Sequence, residues 1–151
     1  MRKYLISTIS RTKYPFERLE EFAENGESLE VKIEGLKSAT PKNGPTIWHR
    51  FRDFLPFDNL NLSFSLGEGS TPLLESKKLA EYVGLNSLLL KNETLNPTWS
   101  FKDRGSFPCI LMAKELGECF VATISTGNMG ASLAAYGARS GIKPIIFIPV
   151  F

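Results

Sequence analysis

The sequence predicts an α/β protein, a three-layer arrangement with a mostly parallel sheet flanked by helices. Three observations predict it. From Ser87 onward the pattern reads strand, helix, strand, helix, strand. Two of those strands, within "CFVATIS" and "KPIIFIP", are nearly continuous apolar runs, as strands buried on both faces are. Both helical stretches between them run into a glycine, Gly117 and Gly141, placed to stop a helix.

The elements follow in order. "KYLISTI" and "ESLEVKIEG" alternate like strands, and "PFERLEEFAENGE" reads as a short helix closed by Asn25-Gly26. "KSATPKNGP" is a loop. "TIWHRFRDFLPF" places Ile47, Trp48, Phe51, Phe54 and Leu55 at helical spacing behind a Thr46 cap, an aromatic stripe that reads as core packing. Residues 1–56 therefore form an amino-terminal segment of short strands and helices, and residues 57–151 a partial small α/β domain. Within the latter, Glu75–Val83 is helical up to Gly84, "SLLLKNE" is a buried strand, and a helix runs from about Phe101 to Leu116. "TGNMGASLAAYGARSG" is a helix whose small residues Gly130, Ala131, Ala134, Ala135 and Ala138 let it approach the sheet closely. A parallel sheet that reaches its last strand just before Phe151 is expected either to continue in a longer chain or to pair through its exposed edge, for instance in a homo-oligomer.

Composition narrows the function. Of 151 residues, 42% are hydrophobic and 23% charged, and the net charge of +2 has no basic run behind it, which argues against a dedicated nucleic-acid binder. The two cysteines, Cys109 and Cys119, lie in apolar stretches and read as reduced core residues of a cytosolic protein. With one histidine, His49, they do not make a standard zinc set. "MRKYLISTIS" lacks the sustained apolar stretch of a secretory signal, and "PIIFIPVF" is too short to span a bilayer, so the expected location is the cytoplasm with no membrane partner.

Three stretches carry candidate chemistry. In "NPTWSFKDRG", Ser100 or Thr98 can cap a helix whose first turn holds Lys102. The positive end of the helix would tend to lower an amine pKa there, and a lysine that gives up its proton can attack a carbonyl. Asp103 and Arg104 are neighbours that could form an ion pair. In "STGNMG", Ser125, Thr126, Gly127, Asn128 and Met129 end a strand and open a helix, and such a turn can hold an anion such as a substrate carboxylate. An ordinary capped turn would read the same way. "GEGSTPL" has glycines but no Gly-Lys-Ser/Thr, so it is not a nucleotide P-loop; alone it is a turn before a helix.

In this order and spacing, "SLGEGSTPL", "LKNETLNPTWSFKDRG" and "STGNMGASLAAYGARSGIKPIIFIP" resemble the amino-terminal part of threonine synthases, pyridoxal-phosphate enzymes of the tryptophan-synthase-β fold type. The resemblance covers roughly residues 45–150. It implies an incomplete half of a fold-type-II enzyme, the cofactor pyridoxal 5'-phosphate, a small amino-acid substrate and the lyase reaction that takes O-phosphohomoserine and water to threonine and phosphate. It also implies roles. Lys102 matches the catalytic lysine that carries the cofactor, and Asn128 the asparagine that hydrogen-bonds a cofactor ring oxygen. Ser125, Thr126 and the N–H groups through Met129 match the loop that holds the amino-acid carboxylate, and Ser70 and Thr71 a loop near the substrate.

The chain departs from the family pattern at several points. Trp99 stands where many relatives have glycine, and Pro108 lies inside the helix after Lys102. No cysteine-rich knuckle precedes the match. The family's glycine-rich loop for the cofactor phosphate and its partner for the pyridine nitrogen come after the matched region, so weak cofactor retention and no normal turnover are expected of these 151 residues alone. Two other readings stay open: a serine/threonine dehydratase or cysteate synthase-like relative, and a non-catalytic folding or assembly module. "GEGSTPL" favours threonine synthase over the dehydratases.

Overall fold

Alternating apolar residues at the amino end pair into a small antiparallel sheet. A computed structural model describes residues 3–17, 20–36 and 39–149. The chain divides into two compact units, Met1–Leu60 and Asn61–Phe151. In the first, β1 (Lys3–Ser7) lies between β2 (Lys13–Tyr14) and β3 (Leu29–Ile33), with Leu5 opposite both Tyr14 and Val31. Ile6, Phe16, Ala23, Trp48 and Phe57 are its buried apolar residues.

The helix expected across residues 15–27 includes Arg18 and Leu19, which lie outside the described residues. Its described part is not helical. Phe22 bridges Ser28, and the Ala23 N–H donates to the Glu27 carbonyl across the Asn25-Gly26 turn. Glu27 explains the choice: its carboxylate accepts from the Ser10 N–H, the Asn25 amide and the Ser7 hydroxyl, so long-range pairing outweighs a weak local helix signal. The loop expected at residues 37–45 begins on Lys37 and Ser38, also outside the described residues.

Thr46 caps as expected, its Oγ1 accepting the His49 N–H, but α1 (Ile47–Arg50) is a single turn and a 3-10 turn follows at Arg52–Phe54. The aromatic stripe is accordingly split. Trp48 is buried, whereas Phe51 and Phe54 are exposed and meet each other edge to face at 6.0 Å.

In the second unit, β4 (Leu73–Glu75) pairs antiparallel with β5 (Leu89–Lys91), with α2 (Lys77–Val83) between them. Gly84 ends α2 at φ 73°. Then come α3 (Asp103–Glu115), β6 (Phe120–Ile124), α4 (Asn128–Ser140) and β7 (Lys143–Phe147). β6 and β7 run parallel, Ala122 opposite Ile145, and α4 is the crossover between them. The α/β class therefore holds, but the mostly parallel sheet does not extend to β5. Among the described residues the parallel sheet has two strands, and β5 belongs to a separate antiparallel pair. Leu89 and Leu90 are exposed, contrary to the buried strand expected of "SLLLKNE".

The core of this unit lies where α3 and α4 pack together and α4 packs on β7. Phe107, Ile110, Leu111, Leu133, Tyr136 and Ile142 are buried there. Two glycines, not the run of alanines, set the approach of α4 to β7. A Cβ on Gly130 would lie 3.1 Å from Ile146, and one on Gly137 would lie 2.9 Å from the Ile142 carbonyl oxygen. Ala131 and Ala138 face outward. α3 runs unbroken through Pro108, although position 108 can offer no N–H to the Arg104 carbonyl. Cys109 and Cys119 are free thiols, but both are exposed and neither is a core residue. Among the described residues no helix is long and apolar enough to cross a membrane.

Candidate active site

The lysine stretch is shaped by side chains that bond the backbone. Asn96, buried, accepts the Gly69 N–H at 2.9 Å and donates to the Glu93 carbonyl and carboxylate, both at 2.8 Å. The Trp99 N–H turns back to the Asn96 carbonyl, and Trp99 itself sits at φ 60°. That region of backbone space favours glycine. Ser100 Oγ accepts the Lys102 N–H at 3.3 Å. Lys102 occupies the position just before α3 rather than its first turn, and its half-buried side chain brings Nζ to 4.9 Å from the centre of the Phe101 ring.

The second stretch is closed by one hydroxyl. Ser125 Oγ accepts the N–H groups of Gly127, at 3.1 Å, and Gly130, at 3.0 Å, so Ser125 serves the helix entrance. Among the described residues the N–H groups of Asn128 and Met129 meet no protein acceptor. They are the open donors of a helix start, where negative charge is stabilised.

Lys102 and this turn share one cleft of about 480 Å³, lined by Lys102, Ile124, Ser125, Thr126, Gly127, Asn128, Met129 and Pro149. It lies beyond the carboxyl ends of the parallel strands, where open α/β sheets bind ligands. An amine, an amide and free backbone donors so meet in one hollow.

Ser70 and Thr71 do not line this cleft. Ser70 is exposed at φ 50°. Thr71 is buried; its hydroxyl donates to Glu93 at 2.8 Å and accepts from Arg104 at 3.2 Å, while its carbonyl accepts from Lys91. Arg104 does not pair with Asp103. It grips Glu93 through two nitrogens, at 2.8 and 2.7 Å. The Arg104 guanidinium, with help from Thr71 and Asn96, holds the Glu93 carboxyl down to about 2. Asp103, fully buried, accepts instead from the Thr98 N–H and hydroxyl and from Ser132.

Several of these residues were not evident from the sequence. Glu68 is buried in the glycine motif and accepts from Ser65, the Leu66 N–H and Tyr136, whose hydroxyl is 2.5 Å away. Burial and the Glu68 carboxylate push the Tyr136 phenol up. Glu93, Asn96, Ser106 and Ser132 complete the set. One signal was available: Ser106, Ser132 and Tyr136 recur on the apolar faces of α3 and α4, where a polar group needs a partner.

Comparison with known proteins identifies the family. The family model described as "Pyridoxal-phosphate dependent enzyme" matches residues 64–150. The threonine synthase of Methanocaldococcus jannaschii is 42% identical over 120 residues, which is 80% of this chain and 29% of that protein. The threonine synthase of Methanosarcina acetivorans is 39% identical over 122 residues, 81% of this chain and 28% of its own length. That of Halalkalibacterium halodurans is 42% identical over 99 residues, 66% of this chain and 28% of its length. The chain thus spans less than a third of the length of these relatives.

Proposed function

The chain belongs to the pyridoxal-phosphate dependent enzyme family, and from that premise we propose that it is the lysine-bearing portion of a threonine synthase. The reaction is the conversion of O-phosphohomoserine and water to threonine and phosphate, a lyase step of amino-acid biosynthesis, carried out in the cytoplasm. The observation that carries the reading is the single cleft shared by Lys102 and the turn Ser125–Met129. Relatives named threonine synthase in three organisms add support.

The cofactor of this family is pyridoxal phosphate, and the residues present fit one end of it. Lys102 offers a primary amine for its aldehyde carbon, and Asn128 an amide for a ring oxygen. When bound, the cofactor supplies an electron sink. The chain's own residues do the rest. Lys102, in the lining of the cleft, would be the group that takes and returns protons at the substrate carbons. Thr126 and the N–H groups of Asn128 and Met129 would hold the substrate carboxylate, on a turn that the Ser125 hydroxyl keeps in shape, and so fix which bond faces the lysine. Thr71 is committed to Glu93 and Arg104, so a substrate contact from this loop would fall to Ser70, which is exposed but outside the cleft lining.

A graft tests the reading. Residues 61–149 of this chain would replace the matching stretch of the Methanocaldococcus jannaschii enzyme. Phosphate release from O-phosphohomoserine, abolished by Lys102→Ala, is the expected result. Ammonia release from serine or threonine in its place would assign the chain to the dehydratases.

A further inference from the structure

Asp103 follows the lysine directly, yet neither the cleft nor any cation uses it. Its side chain is completely buried and, among the described residues, has no ion-pair partner. Three donors meet it: the Thr98 N–H at 2.7 Å, the Thr98 hydroxyl at 2.5 Å and the Ser132 hydroxyl at 2.6 Å. Ser132 lies 2.7 Å from Ser106 of α3, and both are fully buried. Since the one proton of Ser132 goes to Asp103, Ser106 must donate to Ser132. The chain of donors is therefore fixed in direction, Ser106 to Ser132 to Asp103.

The placement of the ends matters more than the bonds. Thr98 stands four residues before Lys102, in the stretch that delivers it. Ser132 stands one helical turn after Asn128, on the same face of α4. One carboxylate thus ties both walls of the cleft. We propose that Asp103, acting through Thr98 and Ser132, is a positioning residue that sets the amine of Lys102 against the turn Ser125–Met129. The inference rests on the cofactor-carrying role proposed for Lys102. A buried carboxylate is an expensive way to hold two helices together, because an apolar pair of the same volume would serve packing as well. A network with every donor assigned fixes one arrangement, which is what a site requires and a core does not.

The test uses the 151-residue chain, with pyridoxal phosphate and borohydride as the probe and peptide mapping as the readout. Label on Lys102 is measured against label on Lys77 and Lys78, which are exposed on α2. In the parent chain Lys102 should be labelled in preference. Asp103→Ala and Ser132→Ala should each lower that ratio, the former by about tenfold, below the unfolding midpoint of each variant. Asp103→Asn should restore it, since an amide nitrogen in the place of one oxygen can donate to both hydroxyls while the other oxygen still accepts the Thr98 N–H. An unchanged ratio in folded Asp103→Ala would overturn the inference. If Asp103→Ala does not fold, Ser132→Ala decides in its place, as it removes only the link to α4. Absence of any preference for Lys102 in the parent chain would instead count against the cofactor-carrying role. Amide hydrogen exchange would then test the positioning role separately. Coupled loss of protection at residues 98–104 and at Gly130 and Ala131 in Asp103→Ala, with β6 and β7 unaffected, supports it; unchanged protection in both segments overturns it.

Discussion

At Trp99 the backbone sits at φ 60° while 81% of the residue is exposed to water. The left-handed region costs an L-residue about 1–2 kcal/mol, and a side chain so exposed returns little by packing. Trp99→Gly removes the penalty and adds a smaller entropic cost in the unfolded chain. The expected outcome is a chain more stable by up to about 1 kcal/mol, read as a higher urea midpoint. The turn at Ser125–Met129 was legible because Ser, Thr and Asn suit a helix entrance, and Lys102 because a cation there runs against the helix dipole. The partners of Asp103 and Arg104 were not. Adjacent residues on a helix point in different directions, so neighbours in sequence predict no bond between them. Arg104 found Glu93, and Asp103 found Thr98 and Ser132.

At the scale of elements, the decisive contact is between α4 and β7. Gly137 in the middle of a helix would ordinarily be a weakness of about 1 kcal/mol against alanine. Here an added Cβ would stand 2.9 Å from the Ile142 carbonyl oxygen and 3.0 Å from Pro144 Cδ. Gly137→Ala is therefore expected to destabilise, by about 1–3 kcal/mol, because backbone cannot yield as a side-chain tip does. Gly105 in α3 is the contrasting case, with nothing within 4 Å of its Cβ position. Gly105→Ala should stabilise by up to about 1 kcal/mol. The pair of midpoints, moving in opposite directions, checks the packing argument. α3, α4, β6 and β7 could be read from periodicity and closing glycines. The β4–β5 pair could not, because three-residue strands give too little pattern and an apolar run does not name its neighbour. Hence "SLLLKNE", apolar enough to suggest a central parallel strand, pairs with Leu73–Glu75 instead.

For the whole molecule, the acid response comes from carboxylates held below their ordinary range, and chiefly from the one that is partly buried, Glu93. In the first unit, Glu27 is lowered by the Ser10 N–H, Glu30 by Lys32 and Asp58 by Lys3. In the second, Glu93 falls from 4.5 to about 2, chiefly through Arg104. A carboxylate whose folded pKa is depressed binds fewer protons folded than unfolded. Its stabilising effect is complete above the unfolded value and disappears as the pH drops through the folded one. For Glu93 that window runs from about 4.5 down to about 2. Urea midpoints should therefore fall across it, and Glu93→Gln should flatten that fall while lowering stability at neutral pH by about 1–3 kcal/mol. The order of apolar runs and closing glycines pointed to the α/β class and composition to the near-neutral charge; neither could show this acid response, which comes from pairings across the loops.

Because β6 and β7 point the same way, both strands release the backbone at a common rim. Pro149 consequently borders the hollow beside Thr126, although a whole helix separates them along the chain. Substitutions just past Phe147 would thus reshape the wall that faces Lys102, even though a one-dimensional map would file those positions far from it.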